Sequence, residues 1–217
     1  TLATHPYIVN RIHALREFSR SECFVRHLLY AAKERIISPQ THADEEAVRA
    51  ALRDCDLAIA LRPEYARAHA ERGYILWFSQ TIVRDTNDRS TDMIQSYERA
   101  AALEPGNPEY HAELGHALHE AGRYEEALCS LDRALRINPD EQGLSWSRAR
   151  TLEHLGRLDE ALLAIDRAIA RDPAYSTECE VVRARILEKL GELDEASITF
   201  TNEFAHDLDC RMERIRC

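Results

Sequence analysis

Small and apolar residues recur at helical spacing on both sides of one glycine in residues 107–141, NPEYHAELGHALHEAGRYEEALCSLDRALRINPDE. Gly115 and Leu118 share a face ahead of Gly122, and Ala127, Leu131 and Ala134 share one beyond it. The same positions then return. Gly122 and Gly156, Ala127 and Ala161, Ala134 and Ala168, and Pro139 and Pro173 are each 34 residues apart. Gly191 and Ala196 continue the series with one residue inserted after Pro173, and Pro105 precedes Pro139 by the same 34. The pattern predicts a helix, a turn at glycine and a second helix, repeated.

Each recurring position has a physical reason. Gly115, Ala149 and Ala184 are small where a first helix must approach a second, with Ala127, Ala161 and Ala196 as the expected partners. Gly122, Gly156 and Gly191 suit the left-handed residue that ends a helix. Glu125-Glu126, Asp159-Glu160 and Asp194-Glu195 place negative charge at the start of the second helix, where it complements the dipole. Pro139 and Pro173 stop that helix.

The series His111-x2-Leu114-Gly115-x2-Leu118, Ala127-x3-Leu131, Pro139 resembles the tetratricopeptide repeat, with His111 at the first aromatic position and leucine at the other two. The resemblance is strong over residues 107–200, fair over 43–106 and absent over 1–42. Its implied fold is all-α, a right-handed superhelical solenoid of antiparallel helix pairs. Residues 1–42 are expected to hold N-terminal helices, a degenerate first unit and a cap around Pro6–Phe18. Residues 43–210 are the array, and 211–217 a tail or the start of a further helix. Pro105 follows Pro63 by 42 positions, eight more than the period, which predicts an insertion at 78–92.

Composition narrows the function. A net charge of −10 opposes nucleic acid and anionic membrane surfaces. No apolar run approaches the roughly 20 residues of a membrane span. No basic and then apolar leader opens the chain, and its first residue is Thr, which predicts a processed or excised segment. Six cysteines without a C-x-x-C pair read as reduced thiols of a cytoplasmic protein, with Cys55 and Cys129 on second helices as packing residues. Only Lys33 and Lys189 represent lysine. Phosphate-binding loops, nucleophile elbows and dinucleotide fingerprints are missing, so an enzyme is not expected and no cofactor or metal is assigned. His116 and Glu120 share a helical face, with His154 one repeat after Glu120, yet a polar groove surface explains them better than a metal shell.

The resemblance implies that first helices line a concave groove that takes a partner peptide or helix, making the chain an interaction scaffold. The alternative is a regulatory or substrate-recruiting module of a larger enzyme or complex. Carried over by repeat position, the groove residues are Arg67, Glu71, Tyr74, Glu113, His116, His119, Glu120, Arg150, His154 and Arg185. Of these, Glu113, His116, Glu120, Arg150 and His154 are expected to lie outside the interhelix packing, so that replacing them hardly alters stability. Ala70, Tyr74, Ala112 and His116 stand where chaperone-binding relatives carry Lys and Asn, so that clamp is missing.

Overall fold

The glycines behind the first helices set the repeat. In the computed structural model, which describes residues 17–18, 21–37, 45–81, 89–140, 143–171 and 176–191, Gly122 and Gly156 adopt φ of 75° and 74°. Arg123 N donates to Leu118 O at 2.9 Å and Gly122 N to His119 O at 3.0 Å. Arg157 N to Leu152 O and Gly156 N to Glu153 O repeat the pair at 3.0 and 3.1 Å. These bonds satisfy the last carbonyls of the helix and reverse the chain, a task only a left-handed residue performs without strain. Arg123 and Arg157 then donate bidentately to Glu126 and Glu160, three residues on, at 2.6–2.7 Å.

Among the described residues all regular structure is helical. In chain order the helices are α1 (Glu22–Ile37), α2 (Glu45–Leu61), α3 (Ala66–Thr81), α4 (Ser90–Leu103), α5 (Pro108–Glu120), α6 (Tyr124–Ile137), α7 (Leu144–His154), α8 (Leu158–Arg171) and α9 (Ser176–Leu190). They fall into two compact units, Thr1–Tyr110 and His111–Cys217. The architecture is all-α, built from antiparallel helix pairs as the period predicts. In the first unit α1 packs on α2, α2 on α3 and α3 on α4, while α1 also touches α3. In the second, α6 packs on α7, α7 on α8 and α8 on α9, while α7 also touches α9.

Helical stripes build each core. Val25, Leu29, Ala32 and Ile36 of α1 meet Val48, Ala51, Cys55 and Ala58 of α2, both sets at the three-and-four spacing of one helix face. In the second unit Ala149 and Leu152 meet Ala161, Ala164 and Ile165, then Val182 and Ile186. Cys55 is the packing residue expected, and burial pushes its thiol up to about 12. Cys129 is not one, because its position on α6 faces solvent. The two Asn-Pro pairs differ as well. Asn107 caps α5, its Oδ1 accepting from Glu109 N at 3.1 Å with Pro108 in the first turn. Asn138-Pro139 follows the end of α6, and α7 begins only at Leu144.

Two expectations need adjustment. The partner of the small position Gly115 is chiefly Leu131, since a Cβ there would lie 2.7 Å from Leu131 Cγ and 3.4 Å from the Ala127 carbonyl. Tyr97 fills the same role against Gly73 at 2.9 Å. Within the expected 78–92 insertion, residues 78–81 continue α3 and 90–92 open α4. In its hydrogen-bonded orientation the Gln80 amide oxygen accepts from Arg89 N at 2.7 Å and Ser90 N at 3.3 Å, holding the start of α4 to the end of α3. Residues 82–88, the cap around Pro6–Phe18 apart from its last two residues, and the readings beyond Gly191 lie outside the described residues.

Gly115→Ala should therefore destabilise the chain. Overpacking a buried leucine costs about 1–3 kcal/mol, against a helix-propensity gain of about 1 kcal/mol. Gly106→Ala, with nothing within 4 Å of its Cβ, is the control. Urea denaturation should show a loss only for Gly115→Ala. Equal midpoints for both variants would contradict the close approach.

Candidate functional site

In the second unit the side chains expected to line a groove reach from one first helix to the next. His116 Nε2 of α5 lies 2.9 Å from Ser147 Oγ of α7, and His119 Nδ1 lies 3.0 Å from Thr151 Oγ1. Thr151 gives its own proton to Ser147 O at 2.8 Å, so it accepts from His119, whose Nδ1 carries the hydrogen. The His119 ring meets Tyr124 and His154 edge-on at 5.3 and 5.1 Å, and Tyr124 stacks on His154 at 4.6 Å. Burial, with the Arg150 charge second, pushes both His116 and His119 down, His119 to about 4. Both rings are neutral at pH 7.

Arg150 lies over the Trp146 ring at 4.7 Å, an attraction between a cation and the ring's negative face. Arg185 of α9 reaches back to α7, where its guanidinium donates to both oxygens of Glu153 at 2.7 and 2.9 Å. Lys189 adds a third bond at 2.8 Å. Burial would raise the Glu153 carboxyl, yet the hydrogen bonds from Arg185 and Lys189 outweigh it and hold the group below its ordinary value. Glu113 is half-buried, while Glu120 and His154 are exposed.

The first unit holds a similar triad. Glu71 of α3 is buried, with Arg67 one turn before it at 3.4 Å and Lys33 of α1 at 3.7 Å. The Lys33 ammonium also lies 5.1 Å from the Tyr74 ring centre, and Tyr74 in turn neighbours Trp77 and Phe78. Beside the triad a groove of about 710 Å³ runs between α1 and α3.

The sequence model of the tetratricopeptide repeat family matches residues 94–143 and, overlapping, 118–179. These are tetratricopeptide repeats. Solved repeat structures are similar over most of the chain. MamA 41-end from Desulfovibrio magneticus RS-1 is 12% identical with a TM-score of 0.73, over 85% of this chain and 96% of that one. YrrB, described as a TPR protein with an unusual peptide-binding site, is 17% identical with a TM-score of 0.69, over 94% and 97%. Another MamA structure, MSR-1, is 19% identical with a TM-score of 0.66, over 88% and 97%. No curated protein matches in sequence.

The tetratricopeptide register found the helices that face one another but missed what joins them. Lys33, Ser147, Thr151, Glu153 and Lys189 all belong to the first-helix surface and were not among the expected site residues. One signal was available. The chain's two lysines, Lys33 and Lys189, each approach a buried glutamate, Glu71 and Glu153. The expectation that groove side chains stand clear of the packing fails for His116, and His119 and Arg185 bond adjacent first helices in the same way. Among the described residues no group of three or more His, Cys, Asp or Glu is arranged to hold a metal ion. His116 bonds to Ser147 on the next first helix.

Two outcomes follow. Glu153→Gln leaves Arg185 and Lys189 nearly half exposed and able to rehydrate, so it should cost about 1–2 kcal/mol. Arg185→Ala with Lys189→Ala strands a carboxylate whose side chain is 4% exposed, a loss of about 3–5 kcal/mol. Urea denaturation at pH 7 orders the two, and the reverse order would refute the triad.

The second concerns pH. An unfolded chain protonates His119 near its ordinary 6.5, the folded one only near 4, so stability must fall as pH drops through that window. His119→Gln should remove about 1–2 kcal/mol of that fall, allowing for the ring's partial exposure. Melting curves at pH 7 and pH 4.5 check this. Parallel losses in both proteins would refute it.

Proposed function

We propose that this chain is a protein-interaction scaffold whose first helices bind a peptide or helix of a partner. The observation that carries the reading is the groove between α1 and α3, bordered by charged and aromatic side chains of two adjacent first helices. YrrB, similar in fold, is described as having a peptide-binding site, which supports the same use here. The polar groups favour binding over catalysis. His116 and His119 are neutral and bonded to hydroxyls, and Glu71 and Glu153 are ion-paired. A general acid or base needs a proton it can exchange with a substrate.

We place the chain in the cytoplasm. Cys23, Cys55, Cys129 and Cys179 are free thiols, as in a reducing compartment. No helix among the described residues is long and apolar enough to cross a membrane. Of the residues carried over by repeat position, Arg67 and Glu71 line the groove of the first unit, and Tyr74 lies against Lys33 beside it. Glu113, Glu120, Arg150 and His154 are the second unit's remaining contact points.

Selection of a displayed random-peptide library against the whole chain tests the reading. Peptides enriched on the wild type should bind about three- to tenfold more weakly to Arg67→Ala or Arg150→Ala, the worth of one charge-assisted contact. Arg133→Ala, on the exposed side of α6, should change nothing. Equal effects of all three, or enrichment of no peptide, would overturn it.

A further inference from the structure

We propose that the groove between α1 and α3 selects an acidic peptide segment, held by Arg26, Lys33 and Arg67 over the apolar floor of Leu29. This rests on the first-helix surface being the binding face and adds the chemistry of its ligand. The charge balance points there. The chain as a whole carries −10, yet this groove is lined by three permanent cations and two carboxylates. One carboxylate, Glu22, has Arg62 at 3.9 Å beside it. The other, Glu71, is shared by two cations at 3.4 and 3.7 Å, longer than a charge-assisted bond at its best. Arg26 is exposed and has no ion-pair partner among the described residues. Positive charge is therefore left over locally, and Lys33 and Arg67 keep 44% and 56% of their side chains in solvent.

Spacing separates a peptide from a small anion. Arg26 and Lys33 are seven residues apart on one helix, about 10 Å along its axis. One carboxylate cannot bridge that distance. Acidic residues three apart on a segment in the polyproline II conformation do, since its three-residue turn puts them on one face at roughly 3.1 Å per residue. Leu29, buried at the floor of the groove, and Tyr30, 64% exposed, lie between the two cations on α1, so an apolar residue between the acids would find the Tyr30 ring to cover. A volume of about 710 Å³ falls within the range of roughly 300–1,000 Å³ that holds compact ligands. The chain's overall negative charge does not forbid this. At 0.1 M salt the screening length is about 10 Å, so distant carboxylates are damped while groove cations act at contact.

Glu71 makes the proposal separable from a structural role. Its carboxylate already occupies the place between Lys33 and Arg67 that a ligand carboxylate would take. Replacing it by neutral Gln should strengthen acidic ligand binding, which a merely structural glutamate would not do.

The test is fluorescence anisotropy of a labelled peptide, Gly-Glu-Leu-Ala-Glu-Leu-Ala-Glu-Gly, titrated with the whole chain at 0.1 M salt. Its counterpart with Gln for every Glu should bind at least about tenfold more weakly, and raising the salt should weaken the acidic peptide alone. Arg26→Ala and Arg67→Ala should each reduce affinity about three- to tenfold, and Glu71→Gln should raise it severalfold. Arg133→Ala should leave it unchanged. Equal binding of the Gln peptide, no binding of either, or indifference to Arg26→Ala would overturn the proposal. In those cases a library peptide lost by Arg67→Ala would still sustain the broader reading, so the two fail separately.

Discussion

A second helix can lie tightly along a first only where the first presents almost no side chain. Gly115 meets that constraint against Leu131, and Gly73 meets it against Tyr97. Each contact fixes its own helix pair, and in the second unit left-handed Gly122 and Gly156 return the chain behind the first helices. Within each unit alternate helices lie side by side, α1 with α3 and α7 with α9. Polar side chains on those helices then face each other at bonding distance. The close approach is upstream of everything the first-helix surface can do.

In the proposed reading that surface serves two purposes at once. His116, His119 and Arg185 hold neighbouring first helices together, and the same helices carry the charged and aromatic side chains that a partner would meet. Glu71 and Glu153 show how charge is tolerated there. Each is a buried carboxylate with an arginine and a lysine beside it, so that its desolvation is offset by opposite charge. The cations remain partly solvated. In the second unit the triad is tight, with three bonds at 2.7–2.9 Å. In the first it is loose, and the loose one borders the groove.

Much of this was legible in the sequence. The 34-residue period, the turn glycines and the small positions determine helix pairs, and the structure has them, with Leu118, Leu152 and Leu187 buried where the period puts them. Contacts between successive first helices were harder to see. Glu153 lies 32 and 36 residues from Arg185 and Lys189, on either side of a period that an inserted residue has already shifted. Lys33 sits on α1, which lacks the small-residue signature, so nothing in the repeat register placed it near Glu71. A third feature was present but unread. Asp56, Asp132 and Asp166 on second helices pair with Arg72, Arg148 and Arg183 on the following first helices at 2.6–3.0 Å. In a chain rich in both residue types such a recurrence carries little contrast, and each exposed pair adds little stability.

The central claim is that binding belongs to the faces of the first helices. Photo-crosslinking tests it most directly. The acidic peptide, carrying a photoreactive group at its central position, would be irradiated on the whole chain and the attached residues located by mass spectrometry. Attachment within residues 22–33 and 66–74 is the predicted result. Attachment to the exposed surfaces of α2, α4, α6 or α8 would contradict it.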